Sequence, residues 1–124
     1  MKEQDEFEPL IIRGGDQKVT DPETRLAIAQ QTVKAIEFAC VHKLKYSIAC
    51  IILSPTVGGL SMATSLAMDD TDYIENLDGC LATLEEAEEY EYCARVMKLK
   101  ELVPTIKFTR KKLKKSLVDA ITDL

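Results

Sequence analysis

Tyr46–Met68, YSIACIILSPTVGGLSMATSLAM, holds no charged residue, in a chain of 124 residues of which 30% are charged. Lys45 and Asp69 close it on either side. A run that tolerates no charge over this length reads as an element buried on every side, and its length suits a long helix. The segment therefore predicts a helix over 46–68. Pro55 removes a backbone donor and should kink it, and Gly58-Gly59 loosens it, so that two short helices joined near 54–60 would also fit. The same run is long enough to cross a bilayer, and Lys43 and Lys45 before it with Asp69, Asp70 and Asp72 after it would suit an inside-positive orientation. Its proline, paired glycines, serines and threonines keep its hydropathy middling. The amphipathic segments around it also need a core to pack on, so a bundle helix is the expectation and a span over 46–68 the lesser one.

Downstream the charge swings twice. Residues 69–100 hold ten acidic and three basic residues, and residues 101–124 three acidic and six basic. In the acidic part Leu77, Cys80, Leu84, Ala87, Tyr90, Ala94 and Met97 step by three and four, which predicts one long helix from a cap at Asp70 or Thr71 to about residue 100. Pro104 starts the next predicted helix, with Ile106, Leu113, Leu117, Ala120, Ile121 and Leu124 on its inner face. A short connection makes these two helices antiparallel neighbours, placing Glu91 near Lys112, Glu89 near Lys114 and Glu88 near Lys115. Exposed pairs of this kind contribute about 0–1 kcal/mol each, enough in number to bias which helices or subunits meet.

Upstream, Asp21 as N-cap, Pro22 at the first helical position and Glu23 in the first turn mark a helix start. Leu26, Ala29, Val33, Ile36 and Cys40 carry it to about His42–Lys43. Residues 1–19 read as an arm. Within it EPLIIR is suited to docking as an extended segment or to adding a strand in an oligomer, and Gly14-Gly15-Asp16 signals a turn.

The chain is long enough for one domain with a real core, and the expected division is an arm over 1–19 and an antiparallel, all-α four-helix bundle over 20–124. A sequence pI near 4.9 and a net charge of −5 argue against non-specific nucleic-acid binding by the whole surface. Cys40, Cys50, Cys80 and Cys93 form no C-x-x-C pair and lie in apolar-periodic stretches, so free thiols in a reducing, cytoplasmic setting are expected, with no signal peptide in front.

Chemistry-bearing patterns are sparse. Glu85, Glu86, Glu88, Glu89 and Glu91 crowd one stretch, but di-metal carboxylate bundles add Glu-x-x-His motifs and the sole histidine is His42, so no metal site is expected. No serine or cysteine sits in a nucleophile context, and neither glycine pair forms a phosphate loop, so neither enzyme activity nor a cofactor nor a small-molecule substrate is expected. What remains is charge. Lys107, Arg110, Lys111, Lys112, Lys114 and Lys115 put six cations into nine residues, a candidate RNA or DNA contact with a steep salt dependence. The five glutamates are the candidate protein-interaction face.

From Tyr46 to Leu99, about half the chain, the order of features resembles the four-helix-bundle family of 23S rRNA intervening-sequence proteins, which includes the accessory variability proteins of diversity-generating retroelements. The resemblance lies in a helix with a Ser54-Pro55 step and small residues through Ser65, a polar Asp/Thr break, and the pattern Tyr73-Ile74, Leu77, Gly79-Cys80-Leu81, Leu84-Glu85. It implies a four-helix protomer assembling into a barrel-like pentamer. In the retroelement branch it implies a basic surface that engages a reverse transcriptase and its RNA, a role to which the 107–115 cations correspond by surface character. The functional expectation is thus a non-enzymatic, homo-oligomeric accessory or scaffold protein binding RNA and a partner enzyme. The alternative is a protein-only module, such as an immunity protein, inhibitor or chaperone, that uses the glutamate face.

Overall fold

A computed structural model describes residues 7–13, 21–57 and 60–110. Its elements are β1 (Leu10–Arg13), α1 (Pro22–His42), β2 (Tyr46–Val57), β3 (Leu60–Asp69), α2 (Tyr73–Glu86) and α3 (Tyr90–Leu102), followed by a 3-10 turn at Val103–Thr105. The protein is a mixed α/β fold with a three-stranded sheet, not an all-α four-helix bundle.

The decisive departure is the uncharged stretch, which forms two antiparallel strands instead of a helix. Two apolar runs separated by a glycine pair are the pattern of a β-hairpin, and Ile48, Ile51, Ile52 and Val57 are β-branched residues that favour strands. Freedom from charge does not distinguish a buried helix from a buried central strand, since both lose water on every side. Pro55 falls in the register shift between Ser54 and Val57, where the ladder is already irregular. The hairpin also replaces the lesser expectation of a membrane span over 46–68, and no described helix is long and apolar enough to cross a membrane.

The EPLIIR stretch docks within its own chain. Leu10–Arg13 runs parallel to β2, pairing Leu10 with Cys50 and Ile12 with Ile52, so β2 is the central strand of the order β1-β2-β3. α1 makes the crossover between the two parallel strands, as a parallel pair requires. It spans the predicted residues, with Asp21 at the N-cap and Pro22 at the first position, and ends with Lys43 in the left-handed region at φ 57°.

The predicted long acidic helix is two helices. α2 ends at Glu86, Glu88 turns left-handed at φ 57°, and the Glu89 N–H donates to the Leu84 carbonyl at 2.9 Å, closing the end in the Schellman manner. Glu85, Glu88 and Glu89 at three- and four-residue spacing would repel one another along a continuous helix, and the break relieves that. The apolar stripe changes face there. Tyr90, Ala94 and Met97 are exposed, while Val96 and Leu99 are buried.

The expected helix from Pro104 does not appear over the residues described. The chain passes through the 3-10 turn, continues without regular structure over 106–109, and pairs Arg110 in parallel with Leu44. Residues 111–124 lie outside the described part.

Side-chain contacts set the helix directions. α2 starts beside the end of α1, where the Tyr73 hydroxyl donates to the Leu44 carbonyl at 2.9 Å, and its later residues Cys80 and Thr83 lie by Arg25 and Ala29, so the two helices are antiparallel. α3 runs parallel to α1, since Gln30 donates to Glu89 at 3.2 Å and Arg95 binds Glu37 further along. The core joins Val33, Ile36 and Ala39 of α1 with Tyr73, Leu77 and Leu84 of α2, Val96 and Leu99 of α3, and Ala49 and Met68 of the sheet.

All three helices occupy one side of the sheet. On that side Ile12 is 1% exposed, while its neighbour Ile11, on the opposite side, is 56% exposed. Ala49 is an extra residue between Ile48 and Cys50, and the bulge lets both Ala49 and Cys50 turn to the helices, where both are fully buried.

Candidate functional site

The five glutamates gather at the corner between α2 and α3. Glu85, Glu86, Glu88 and Glu91 are exposed, and Glu89 is half-buried against Gln30. Glu91 stands one turn before Arg95 on α3, so the two share a face. Of the predicted cations, Lys107 and Arg110 are exposed on the segment after the 3-10 turn, which meets the other end of α1. Lys111, Lys112, Lys114 and Lys115 lie outside the described residues, and so do the pairings expected of Lys112, Lys114 and Lys115 with the glutamates.

The glutamates and the two described cations, Lys107 and Arg110, are therefore set apart along α1. The acidic corner adjoins Gln30, and Arg110 hydrogen-bonds through its backbone N–H to the Lys43 carbonyl at 2.9 Å. From position 30 to 43 a helix advances roughly 20 Å. Lys43, Lys45, Lys107 and Arg110, all exposed, stand at the second end, beside Asp69 and Asp70 where β3 turns toward α2.

Between α1 and α3 runs an open cleft of about 750 Å³. Cys40, Val41, Leu99, Leu102 and Ile106 supply its apolar lining. Val41 is 71% exposed and Leu102 46%, unusual for aliphatic side chains with so much buried surface beside them. The Glu37–Arg95 pair lies at its edge. The Arg95 Nε donates to a Glu37 carboxylate oxygen at 2.8 Å, the guanidinium stacks 4.4 Å over the Tyr92 ring, and the carboxylate holds the Arg95 pKa above its ordinary value. Lys98 and Glu101 complete a rim of mixed charge. Nothing in the chain's hydrophobic periodicity singled out Val41 or Leu102. The signal that could have was the stripe itself, from which Val41 departs.

The thiols are free and none is activated. Burial, with a smaller contribution from Glu37, pushes Cys40 up to about 11, and burial likewise raises Cys50, Cys80 and Cys93. A thiolate nucleophile needs the opposite shift. Cys93 alone is half-buried rather than buried, so it is expected to be the first to react with a thiol reagent, with Cys40, Cys50 and Cys80 following only on unfolding. A native-state thiol titration giving one fast equivalent would check this.

Other polar groups do structural work. Thr71 donates to the Asp69 carboxylate through its hydroxyl at 2.5 Å and its backbone N–H at 3.0 Å, which holds the Asp69 pKa below the usual range and fixes the turn between β3 and α2. His42 ends α1 with its ring 4.3 Å from Phe38. Among the described residues no group of three His, Cys, Asp or Glu side chains converges to hold a metal ion.

No protein-family model matches this chain, and neither a curated protein nor a solved structure is similar to it at significance. The four-helix protomer that the family resemblance implied is overturned by the hairpin at 46–69.

Proposed function

We propose that the protein is a non-enzymatic interaction module that binds an amphipathic helix of another protein in the α1/α3 cleft. The observation that carries this reading is the exposure of Val41 and Leu102 across an apolar floor between two parallel helices. A helix laid in such a groove buries its apolar stripe on these anchors. Its end toward Glu91, Glu88 and the acidic corner would carry Lys or Arg, because four exposed carboxylates favour a basic partner there. The RNA and reverse-transcriptase reading came with a four-helix protomer, and the cations that support it in the described structure are Lys107 and Arg110.

The probe is a labelled amphipathic Leu/Lys peptide of about 18 residues, five helical turns, titrated by fluorescence anisotropy. The Val41→Asp/Leu102→Asp double variant is expected to weaken binding at least about tenfold, as loss of central apolar anchors does. Because both side chains are exposed, the variant should keep the native circular dichroism spectrum. Equal binding by wild type and variant, or binding of an oligoribonucleotide in place of the peptide, would overturn the reading.

A further inference from the structure

The helix layer stops short of one edge of the sheet. On the helix side Ile12 of β1 is 1% exposed and Cys50 of β2 is 0% exposed, yet Leu66 of β3, the register partner of Cys50, is 39% exposed. Beside Leu66 a cleft of about 420 Å³ opens between β3, α1 and α2, with Ile28, Ala29 and Cys80 in its walls. Gly79 faces the cleft from α2, and a side chain added there would meet no atom within 4 Å. The layer has room for the side chain of one more strand.

The edge that borders the cleft is also the unprotected one. β1, the other edge strand, has four residues, follows Pro9 and ends in Arg13, all of which discourage further pairing. β3 runs for ten residues without proline, lysine or arginine, and its single charge is Asp69 at the end. Among the described residues no strand pairs with its outer side, which therefore presents a row of unpaired N–H and C=O groups.

We propose that an extended segment of another protein adds to β3 as a fourth strand and seats an apolar side chain in this cleft. In such an addition the main-chain hydrogen bonds supply affinity and the pocket supplies specificity. Charge states the chemistry of the segment. Asp69 lies three residues beyond Leu66 on β3, and Glu75 one turn before Gly79 on α2; both are exposed and call for Lys or Arg at that end. Arg25, also exposed, lines the cleft together with Thr83, one turn after Gly79, and calls for an acidic residue at the opposite end. Antiparallel pairs are the commoner kind, and in that alignment the segment reads basic, apolar, acidic from its N-terminus.

A second copy is the poorer occupant. Residues 69–86 hold seven carboxylates and no cation, and two-fold pairing of β3 with β3 would bring two such stretches side by side. The edge is also small for a folded partner. Ten residues make a strip about 33 Å long in a layer about 10 Å thick, roughly 330 Å², well below the ~800 Å² per partner of a stable complex. The site shares no residue with the α1/α3 cleft, so the inference stands apart from the interaction proposed there.

The probe is the dye-labelled peptide Lys-Lys-Thr-Leu-Thr-Glu-Thr, whose leucine falls opposite Leu66 when its first lysine is opposite Asp69. Gly79→Leu fills the cleft while improving helix propensity, so it should keep the native circular dichroism spectrum and weaken binding at least about tenfold. The charge-swapped peptide Glu-Glu-Thr-Leu-Thr-Lys-Thr should bind wild type at least about tenfold more weakly. Only alternate amides of an added strand face its neighbour. Of two peptides N-methylated at residues 3 and 5 or at residues 2, 4 and 6, one should therefore lose binding and the other keep it. The proposal is overturned if wild type does not saturate below about 1 mM peptide, if Gly79→Leu or the charge swap leaves affinity unchanged, or if the two N-methylated peptides behave alike. A light-scattering mass of two protomers that falls to one in Gly79→Leu would also overturn it, by seating a second copy on the edge.

Discussion

Replacing Tyr73 with alanine is expected to cost about 3–5 kcal/mol of folding stability, the range for emptying a buried aromatic site. Tyr73 is fully buried where α2 begins, its ring meets Phe108 edge-on with centroids 5.3 Å apart, and its hydroxyl donates to the Leu44 carbonyl at 2.9 Å. It therefore ties three things together: the end of α1, the start of α2, and the segment that leads through Phe108 to Arg110. Chemical denaturation would measure the loss. Tyr73→Phe keeps the ring and strands the Leu44 carbonyl, which costs about 1–3 kcal/mol. The same hydroxyl sets an alkaline limit. Burial, opposed by the Ser47 hydroxyl and reinforced by Asp70, raises the Tyr73 pKa from 10.0 to about 12. The folded state thus holds a proton that the unfolded chain releases. The resulting stabilisation is complete below pH 10 and is lost as pH rises through about 12, a loss of about 2–3 kcal/mol in full. The Phe variant should show a flatter stability profile over that window. An unchanged profile would mean that Tyr73 does not ionise on unfolding.

The second large effect separates two adjacent isoleucines. Ile12→Ala is expected to cost about 2–5 kcal/mol, as for other aliphatic truncations in a core, whereas Ile11→Ala should cost well under half of that. Ile12 is on the helix side of β1 and Ile11 on the other, and one residue of register divides them. Matched denaturation curves of the two variants would check it. A larger cost at Ile11 would place β1 one residue out of register. Equal small costs would return Leu10–Arg13 to the status of a loose arm.

α1 was legible in the sequence because its signals are local: a cap, a proline at the first position and an apolar period that does not depend on what lies opposite. The uncharged run at 46–68 was legible as apolar but not as a strand pair, one side of which buries Ala49, Cys50 and Met68 while Tyr46, Ser65 and Ala67 are exposed on the other. Apolar and small residues on both sides of the strands erase the polar alternation that marks a half-exposed strand, and a Gly58-Gly59 pair suits a loosened helix as well as a hairpin turn. The break at Ala87–Glu89 was hidden for a different reason. Alanine and glutamate favour helix locally, so their propensity does not mark the turn after which α3 runs along α1. The acidic candidate site was found as a cluster, while its separation from Lys107 and Arg110, and the cleft holding Val41 and Leu102, depend on helix directions that no local pattern encodes.

By itself, then, the sequence determined the ends of α1, the absence of charge over 46–68, the apolar content of EPLIIR and the ordering of acidic before basic charge along the chain. These follow from cap chemistry and from the cost of removing charge from water, which act on each segment alone. Only the tertiary structure decided that 46–69 is a hairpin, that Leu10–Arg13 is its parallel partner, and that the glutamates and the described cations Lys107 and Arg110 sit at opposite ends of α1. A strand is stabilised by partners distant in sequence, so its choice over a helix is settled by which partner is available.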